Sequence, residues 1–281
     1  MFFSGIADEA GPGIDAQIRA QKELGWSHVE LRTVDGKQFT QVTDEEFNAI
    51  RQKLDKAGIR VSSFASAIAN WARPVTNPFD ADLADLKRAI PRMKKLGCPF
   101  LRVMSWPNNC LAQDAWKAET VRRMKELARI AEDGGVTLVL ENCDGWAAQS
   151  SKHMIEFLAS VDSPALRVVF DTGNPPFHHY DGLEMYTVVK PHVAYIHIKD
   201  SYVDSDGGVH YAFPNEGHGY VRQILTDALR GGYEGGISIE PHLAAVIHEG
   251  KAADTEGAAY KLYVEYGRRL QKLVEGILEK L

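Results

Sequence analysis

Thr137-Leu138-Val139-Leu140-Glu141-Asn142 and, one helical stretch later, Leu166-Arg167-Val168-Val169-Phe170-Asp171-Thr172 carry the pattern on which the fold is read. Each is a short apolar run, rich in β-branched residues, that closes on an acidic side chain. Such runs are the signature of parallel strands buried on both faces. The unit recurs outward in both directions. Strands are predicted at Phe2–Asp8, His28–Thr33, Arg60–Ala67, Phe100–Trp106, Thr137–Asn142, Leu166–Thr172, Val193–Lys199 and Gly236–Pro241, eight in all, with starts 26 to 43 residues apart.

Segments with helical spacing lie between them. Asp15–Leu24 runs to Gly25, and Thr43–Ala57 opens on the capping box Thr43-Asp44-Glu45-Glu46 and stops at Gly58. Phe79–Leu96 stops at Gly97, Trp116–Asp133 at Gly134, and Val221–Leu229 at Gly231. Ser150–Ser160 and Gly182–Lys190 are shorter. A terminal helix over about Thr255–Leu281 places Leu262, Tyr263, Tyr266, Leu270, Leu273, Val274, Ile277 and Leu281 on one stripe. The stripe is expected to cover the barrel wall, with any remainder available to make a homo-oligomer. Eight βα units in 281 residues predict an α/β protein, a (β/α)8 barrel of TIM type, as a single domain over 1–281. A doubly wound open sheet is the rival, but the first strand's only glycine, Gly5, begins no G-x-G-x-x-G turn. The long connection Ser201–Tyr220, with its turn signal Asp206-Gly207-Gly208, is expected to fold over the barrel mouth as a small hairpin.

Composition narrows the class of function. With 44% hydrophobic and 25% charged residues the chain is globular. Lys+Arg 32 against Asp+Glu 38 gives a formal charge of −6, which disfavours nucleic acid as a partner. No run approaches the roughly 18 apolar residues of a membrane helix. The first residues lack the basic start and apolar core of a signal peptide, which predicts a cytoplasmic location. Cys98, Cys110 and Cys143 form no CxxC pair and are read as structural.

Polar groups at the C-terminal ends of barrel strands face the active site. Those ends carry Glu30 and Arg32, Glu141-Asn142, Asp171, His197 and Lys199, and Glu240 and His242. A bare carboxylate ending a buried strand is costly unless paired or bound to a cation. Glu141, Asp171, His197 and Glu240 fall on neighbouring strands, and three carboxylates with one imidazole suit Mn²⁺, Mg²⁺ or Co²⁺ better than Zn²⁺. One divalent metal ion is therefore the expected cofactor. Glu30 and Arg32 either pair with each other or join the site.

Leu140-Glu141-Asn142, Phe170-Asp171-Thr172-Gly173-Asn174, Ile196-His197-Ile198-Lys199-Asp200, Gly217-His218-Gly219 and Ile239-Glu240-Pro241-His242 together resemble the xylose-isomerase-like TIM barrel superfamily, which holds sugar phosphate isomerases and epimerases, inosose dehydratases and endonuclease IV-type nucleases. The resemblance spans nearly the whole chain. It implies that Glu141, Asp171, His197 and Glu240 are the metal ligands and that Glu141 and Glu240 double as acid and base. It also implies a sugar or cyclitol substrate and proton transfer beside its carbonyl through a metal-stabilised enediolate, as an isomerase or epimerase. A lyase of inosose or 3-keto-glycoside type shares the first step and is the alternative. A non-catalytic binding module and a nuclease rank below both.

The chain departs from the pattern at one position. Ketose epimerases of this group usually carry a histidine three residues after the strand-six aspartate, where this chain has Asn174, with His178 and His179 further along the loop. The third and fourth strands supply none of the extra histidines of the three-zinc nucleases. Further substrate-binding candidates are Asn174, Lys199, His218, His242, Trp106 and Trp146. Lys199 would steady an oxyanion or neutralise carboxylates, and Trp71, Trp106 and Trp146 would stack on a sugar face. Gly217-His218-Gly219 either accepts a phosphate through backbone N–H groups or makes a tight turn into the next helix.

Overall fold

The computed structural model describes residues 1–243 and 257–281. Eight parallel strands carry the fold: β1 (Phe2–Gly5), β2 (His28–Leu31), β3 (Arg60–Ala65), β4 (Phe100–Ser105), β5 (Thr137–Gly145), β6 (Leu166–Asp171), β7 (Val193–Ile198) and β8 (Gly236–Ile239). From β2 to β8 each strand pairs with the next, β8 pairs with β1, and an isolated bridge between Ile6 and Glu30 links the chain just after β1 to β2. The result is the (β/α)8 barrel expected from the alternation. Its outer helices include α1 (Ile14–Glu23), α2 (Asp44–Ala57), α3 (Asp80–Leu96), α4 (Gln113–Gly134) and α5 (Ser151–Val161). The short α6 (Asn174–His178), then α7 (Gly182–Val189), α8 (Val221–Arg230) and α9 (Ala258–Leu278), complete the α-helices among the described residues.

Local chemistry sets the helix ends. The Thr43 hydroxyl accepts from Glu46 N while Glu46 reaches back to Thr43 N, and Gly58 takes a left-handed φ of 67° at the other end of α2. Two stops move by one residue. α4 continues through Gly134 so that Gly135 takes the left-handed position, and after α8 Gly232 rather than Gly231 has positive φ. α9 begins at Ala258, and residues 255 and 256 of the expected span lie outside the described residues. It packs between α8 and α1, buries Tyr263, Tyr266, Leu270, Leu273, Val274 and Ile277, and leaves Leu281 half exposed beyond its end. The stripe is thus used within the chain. Tyr263 Oη accepts from Gln21 Nε2 at 2.8 Å and stands where a Cβ on Gly5 would collide with it.

Strand alternation separates two cores. Leu138, Leu140, Val168, Phe170, Ile196 and Ile198 face outward into the main core beneath the helices. Val139, Val169 and Tyr195 face inward and form a separate cluster. Two residues further along those inward faces come Glu141, Asp171 and His197, so the apolar plug is the floor on which the polar groups stand.

At the opposite end of the barrel, His28 stacks on Phe2 with ring centroids 4.0 Å apart. Burial, helped by the Arg60 charge, lowers its pKa to about 4. The folded state therefore prefers neutral His28. Its contribution is complete above the unfolded value near 6.5 and is lost as pH falls through the folded value, a loss of up to about 3 kcal/mol. Urea midpoints from pH 7 to 4 should fall more steeply for the wild type than for His28→Gln. Parallel curves would show that His28 has no part in acid sensitivity.

Candidate metal centre

Glu141 within β5, Asp171 and His197 at the C-terminal ends of β6 and β7, and Glu240 just past β8 are all buried, each offering a ligand atom within 4.8 Å of the others. The structure brings together the four residues that the strand ends single out. Asp171 Oδ1 is held by the N–H groups of Gly173 and Asn174, both at 2.8 Å. Asn142 clamps the same strand end, accepting from Asp171 N at 2.7 Å and donating to Asp171 O at 3.0 Å.

Glu30 and Arg32 do not pair with each other. Glu30 lies beneath His197, its carboxylate oxygens 3.1 and 3.2 Å from Nε2, and accepts from Ser238 Oγ at 2.7 Å. His197 Nδ1 faces Glu141 Oε1 at 3.2 Å. Arg32 instead donates to Glu240 Oε1 at 2.7 Å, to both Asp8 oxygens at 2.8 and 3.0 Å, and to Glu9 Oε1 at 3.1 Å. Asp8 and Glu9 belong to a 3-10 turn, Ala7–Glu9, and not to the strand expected through Asp8. Lys199 Nζ bridges Asp171 Oδ2 at 3.3 Å and Glu240 Oε2 at 3.1 Å, and Arg102 Nη1 stands 3.3 Å from Glu141 Oε2.

These contacts set the proton affinities. Burial alone would raise Glu141, but Arg102 and His197 outweigh it and bring its pKa to about 2. Burial would also raise Glu240, yet Lys199, His242 and Arg32 hold it well below the usual carboxylate range. Burial and the neighbouring carboxylates of Glu141 and Glu240 leave Asp171 raised, against the pull of Lys199. Burial would lower His197, but Glu30 and Glu141 raise it to about 10.

The donor set fits a divalent cation. Six buried carboxylates (Asp8, Glu9, Glu30, Glu141, Asp171, Glu240) face three permanent cations (Arg32, Arg102, Lys199), a deficit of three charges before the histidines are counted. Glu141 Oε2 and Asp171 Oδ2 are buried and accept no hydrogen bond despite the cations 3.3 Å away. Such orphaned acceptors are costly unless something positive meets them. With an ion on Nδ1, the Nε2–H of His197 would donate to Glu30, the carboxylate–histidine arrangement that steadies many metal ligands. Glu9, Glu240 and His242 form a second group within 4.8 Å, but the Arg32 guanidinium already serves both carboxylates there.

Above the cluster opens a cavity of about 360 Å³, lined by the buried Arg102, Met104, Glu141, Asn174, Lys199, Glu240 and His242 and by the more exposed Trp71, Cys143, Asp144, Phe177, His178 and Tyr211. That volume suits a small ligand. Several expected contacts fall elsewhere. Trp106 is fully buried, its Nε1 donating to Asp82 Oδ2 at 2.8 Å, and Trp146 packs against His153 and Phe157. Neither lines the cavity, whereas Trp71 does. His218 lines a neighbouring cavity of about 260 Å³. The phosphate reading of Gly217-His218-Gly219 is overturned, because its N–H groups donate to Asp200 (3.0 and 2.9 Å) and to Ser201 O (2.7 Å). The turn into α8 is the correct reading. Asp200 begins the predicted hairpin, Asp200–Val203 with Val209–Ala212. Cys143, read as structural, lines the cavity. Sequence reasoning missed Arg102, Asp8 and Glu9. Arg102 carried a visible signal, a charge inside the apolar run Phe100–Met104.

A family model described as xylose isomerase-like TIM barrel matches residues 18–261. The chain is 29% identical over 226 residues, 78% of its length and 76% of the relative's, to a 2-epi-5-epi-valiolone 7-phosphate 2-epimerase of Actinoplanes sp.. A D-psicose 3-epimerase structure with D-tagatose, from Clostridium cellulolyticum H10, superposes with a TM-score of 0.75 at 15% identity, covering 99% of both chains. A xylose isomerase-like TIM barrel protein from Mycobacterium smegmatis in complex with magnesium gives 0.69 at 19% identity, covering 98% of this chain and 97% of the other. Among the described residues, no helix is long and apolar enough to cross a membrane.

Proposed function

Because the chain belongs to the xylose isomerase-like TIM barrel family, we propose that it is a divalent-metal-dependent epimerase or isomerase moving a proton beside the carbonyl of a sugar or cyclitol. The observation that carries the reading is the convergence of Glu141, Asp171, His197 and Glu240, with two buried carboxylate oxygens left without hydrogen bonds. These four would hold the ion, and their hard donors favour Mg²⁺, Mn²⁺ or Co²⁺ over Zn²⁺. When bound, the metal polarises the substrate carbonyl and stabilises negative charge developing on its oxygen.

The rest falls to the protein. Glu141 and Glu240 are ionised at neutral pH, so either carboxylate can take a proton from carbon beside the carbonyl. The other, once protonated, can return one to the opposite face, which inverts that carbon. Return to the neighbouring carbon would give aldose–ketose isomerisation. Lys199 Nζ, between Asp171 and Glu240, is positioned to donate to an oxygen that gains charge. The similarity to an epimerase at 29% identity supports this class of reaction.

Proton NMR in D₂O tests it, with chelator-stripped and Mg²⁺-reconstituted protein and a panel of ketoses and inososes. Deuterium should enter beside the carbonyl in the reconstituted sample alone, with a product otherwise unchanged in mass. Loss of water would move the activity to the lyase class on the same residues. Exchange that survives chelation would overturn the metal-dependent reading.

A further inference from the structure

Lys199 is placed by packing as much as by charge. It follows β7 directly, and the Thr172 hydroxyl brackets its backbone, donating to Lys199 O at 2.6 Å and accepting from Lys199 N at 3.3 Å. Its stem lies against Gly173, where a Cβ would stand only 2.6 Å from the lysine Cγ and 2.8 Å from its Cβ. Glycine at 173 is therefore what lets the lysine turn inward. The side chain is buried, and Nζ meets Asp171 Oδ2 at 3.3 Å and Glu240 Oε2 at 3.1 Å. Among the described residues it is the one lysine or arginine that pairs with two of the four candidate ligands. Arg102 reaches Glu141 alone, and Arg32 divides its charge between Glu240, Asp8 and Glu9.

We propose that Lys199 is a built-in counter-cation that limits the hold of the site on its divalent ion and so keeps that ion exchangeable. This rests on the reading of Glu141, Asp171, His197 and Glu240 as the metal centre and names what regulates that centre. Three ligand carboxylates outnumber a divalent ion by one charge, and the ammonium makes up the difference. It draws on the same carboxylates as the ion and repels the ion itself. Even with strong screening, a unit charge beside a divalent one in a buried site changes binding by at least about tenfold.

Calorimetric titration of the chelator-stripped protein with Mn²⁺ and with Mg²⁺ tests the inference by metal binding alone. Lys199→Met keeps the stem that packs on Gly173 and removes the charge. Its Kd for either ion should be at least about tenfold tighter than that of the wild type, and a chelator should withdraw its Mn²⁺ more slowly. The rise in Tm on adding Mg²⁺ should also be larger for the variant, since tighter binding stabilises the folded chain further. Lys190→Met removes the same charge from an exposed pair with Asp227 and should leave Kd within about twofold, which separates a local effect from net charge. Lys199→Gln, neutral but able to hydrogen-bond, carries the same expectation should the methionine variant not fold. A Kd that is unchanged or weaker in a folded Lys199 variant would overturn the proposal and leave the metal centre standing, with the ammonium steadying its ligands. Absence of binding by the wild type and by both Lys199 variants would overturn the metal centre and this proposal together.

Discussion

Glu240→Gln should lower turnover by about a thousandfold, the range associated with loss of a positioned acid or base, while the protein stays folded. Gln keeps the size of the side chain but cannot take up a proton. The surroundings tolerate it better than most buried charge deletions. Arg32 retains Asp8 and Glu9, and Lys199 retains Asp171. The lost pairings at 2.7 and 3.1 Å become weaker neutral contacts, costing roughly 1–3 kcal/mol. A thermal melt alongside steady-state rates separates the two effects. Metal content after dialysis then divides the role of the carboxylate. A variant that keeps its ion but loses turnover places proton transfer on Glu240, and one that loses both places ligation there. Wild-type rates would falsify the assignment.

The ladder Glu141, Asp171, His197 and Glu240 was legible because each residue ends an apolar run, where a charge is expensive and must have a reason. The barrel was legible for a related reason: its strands are buried on both faces and read as unbroken apolar runs. Residues settled by long-range contact were not legible. Trp106 follows β4, as a residue of the barrel mouth would, but it adopts a left-handed φ of 48° and its indole N–H finds Asp82 on α3. Gly217-His218-Gly219 reads as an anion cradle until Asp200, 17 residues earlier, supplies the anion from within the chain. Glu30 and Arg32 lie two apart on one strand face, yet barrel closure offers each a better partner across the lumen. Spacing along a strand tells which way a side chain points, and the register of the other seven strands decides what it meets.

Arg32→Met should be the most destabilising single change in this site. The guanidinium is 4% exposed and binds Asp8 through two nitrogens, Glu9 through one and Glu240 through another. Burial works against its charge, but the three carboxylates outweigh it and raise the guanidinium pKa further. Met fills much of the same volume without a charge. Asp8 then keeps only the Thr33 N–H and hydroxyl, and Glu9 keeps the His242 N–H and ring. Removing one partner of a buried ion cluster costs about 3–5 kcal/mol, because the remaining charges stay buried. For a chain of this size that is a fall in Tm on the order of 10 °C. Arg32→Lys should recover only part of it, since one ammonium cannot reach Asp8 bidentately and Glu240 at once. The double variant Arg32→Met/Asp8→Asn is the sharper measurement. If the penalty is an uncompensated carboxylate, neutralising Asp8 should make the double variant more stable than Arg32→Met alone, a coupling that urea unfolding can read. Additive losses would instead mean that Arg32 acts through packing of its stem, and that the six carboxylates of the site are held by the remaining cations.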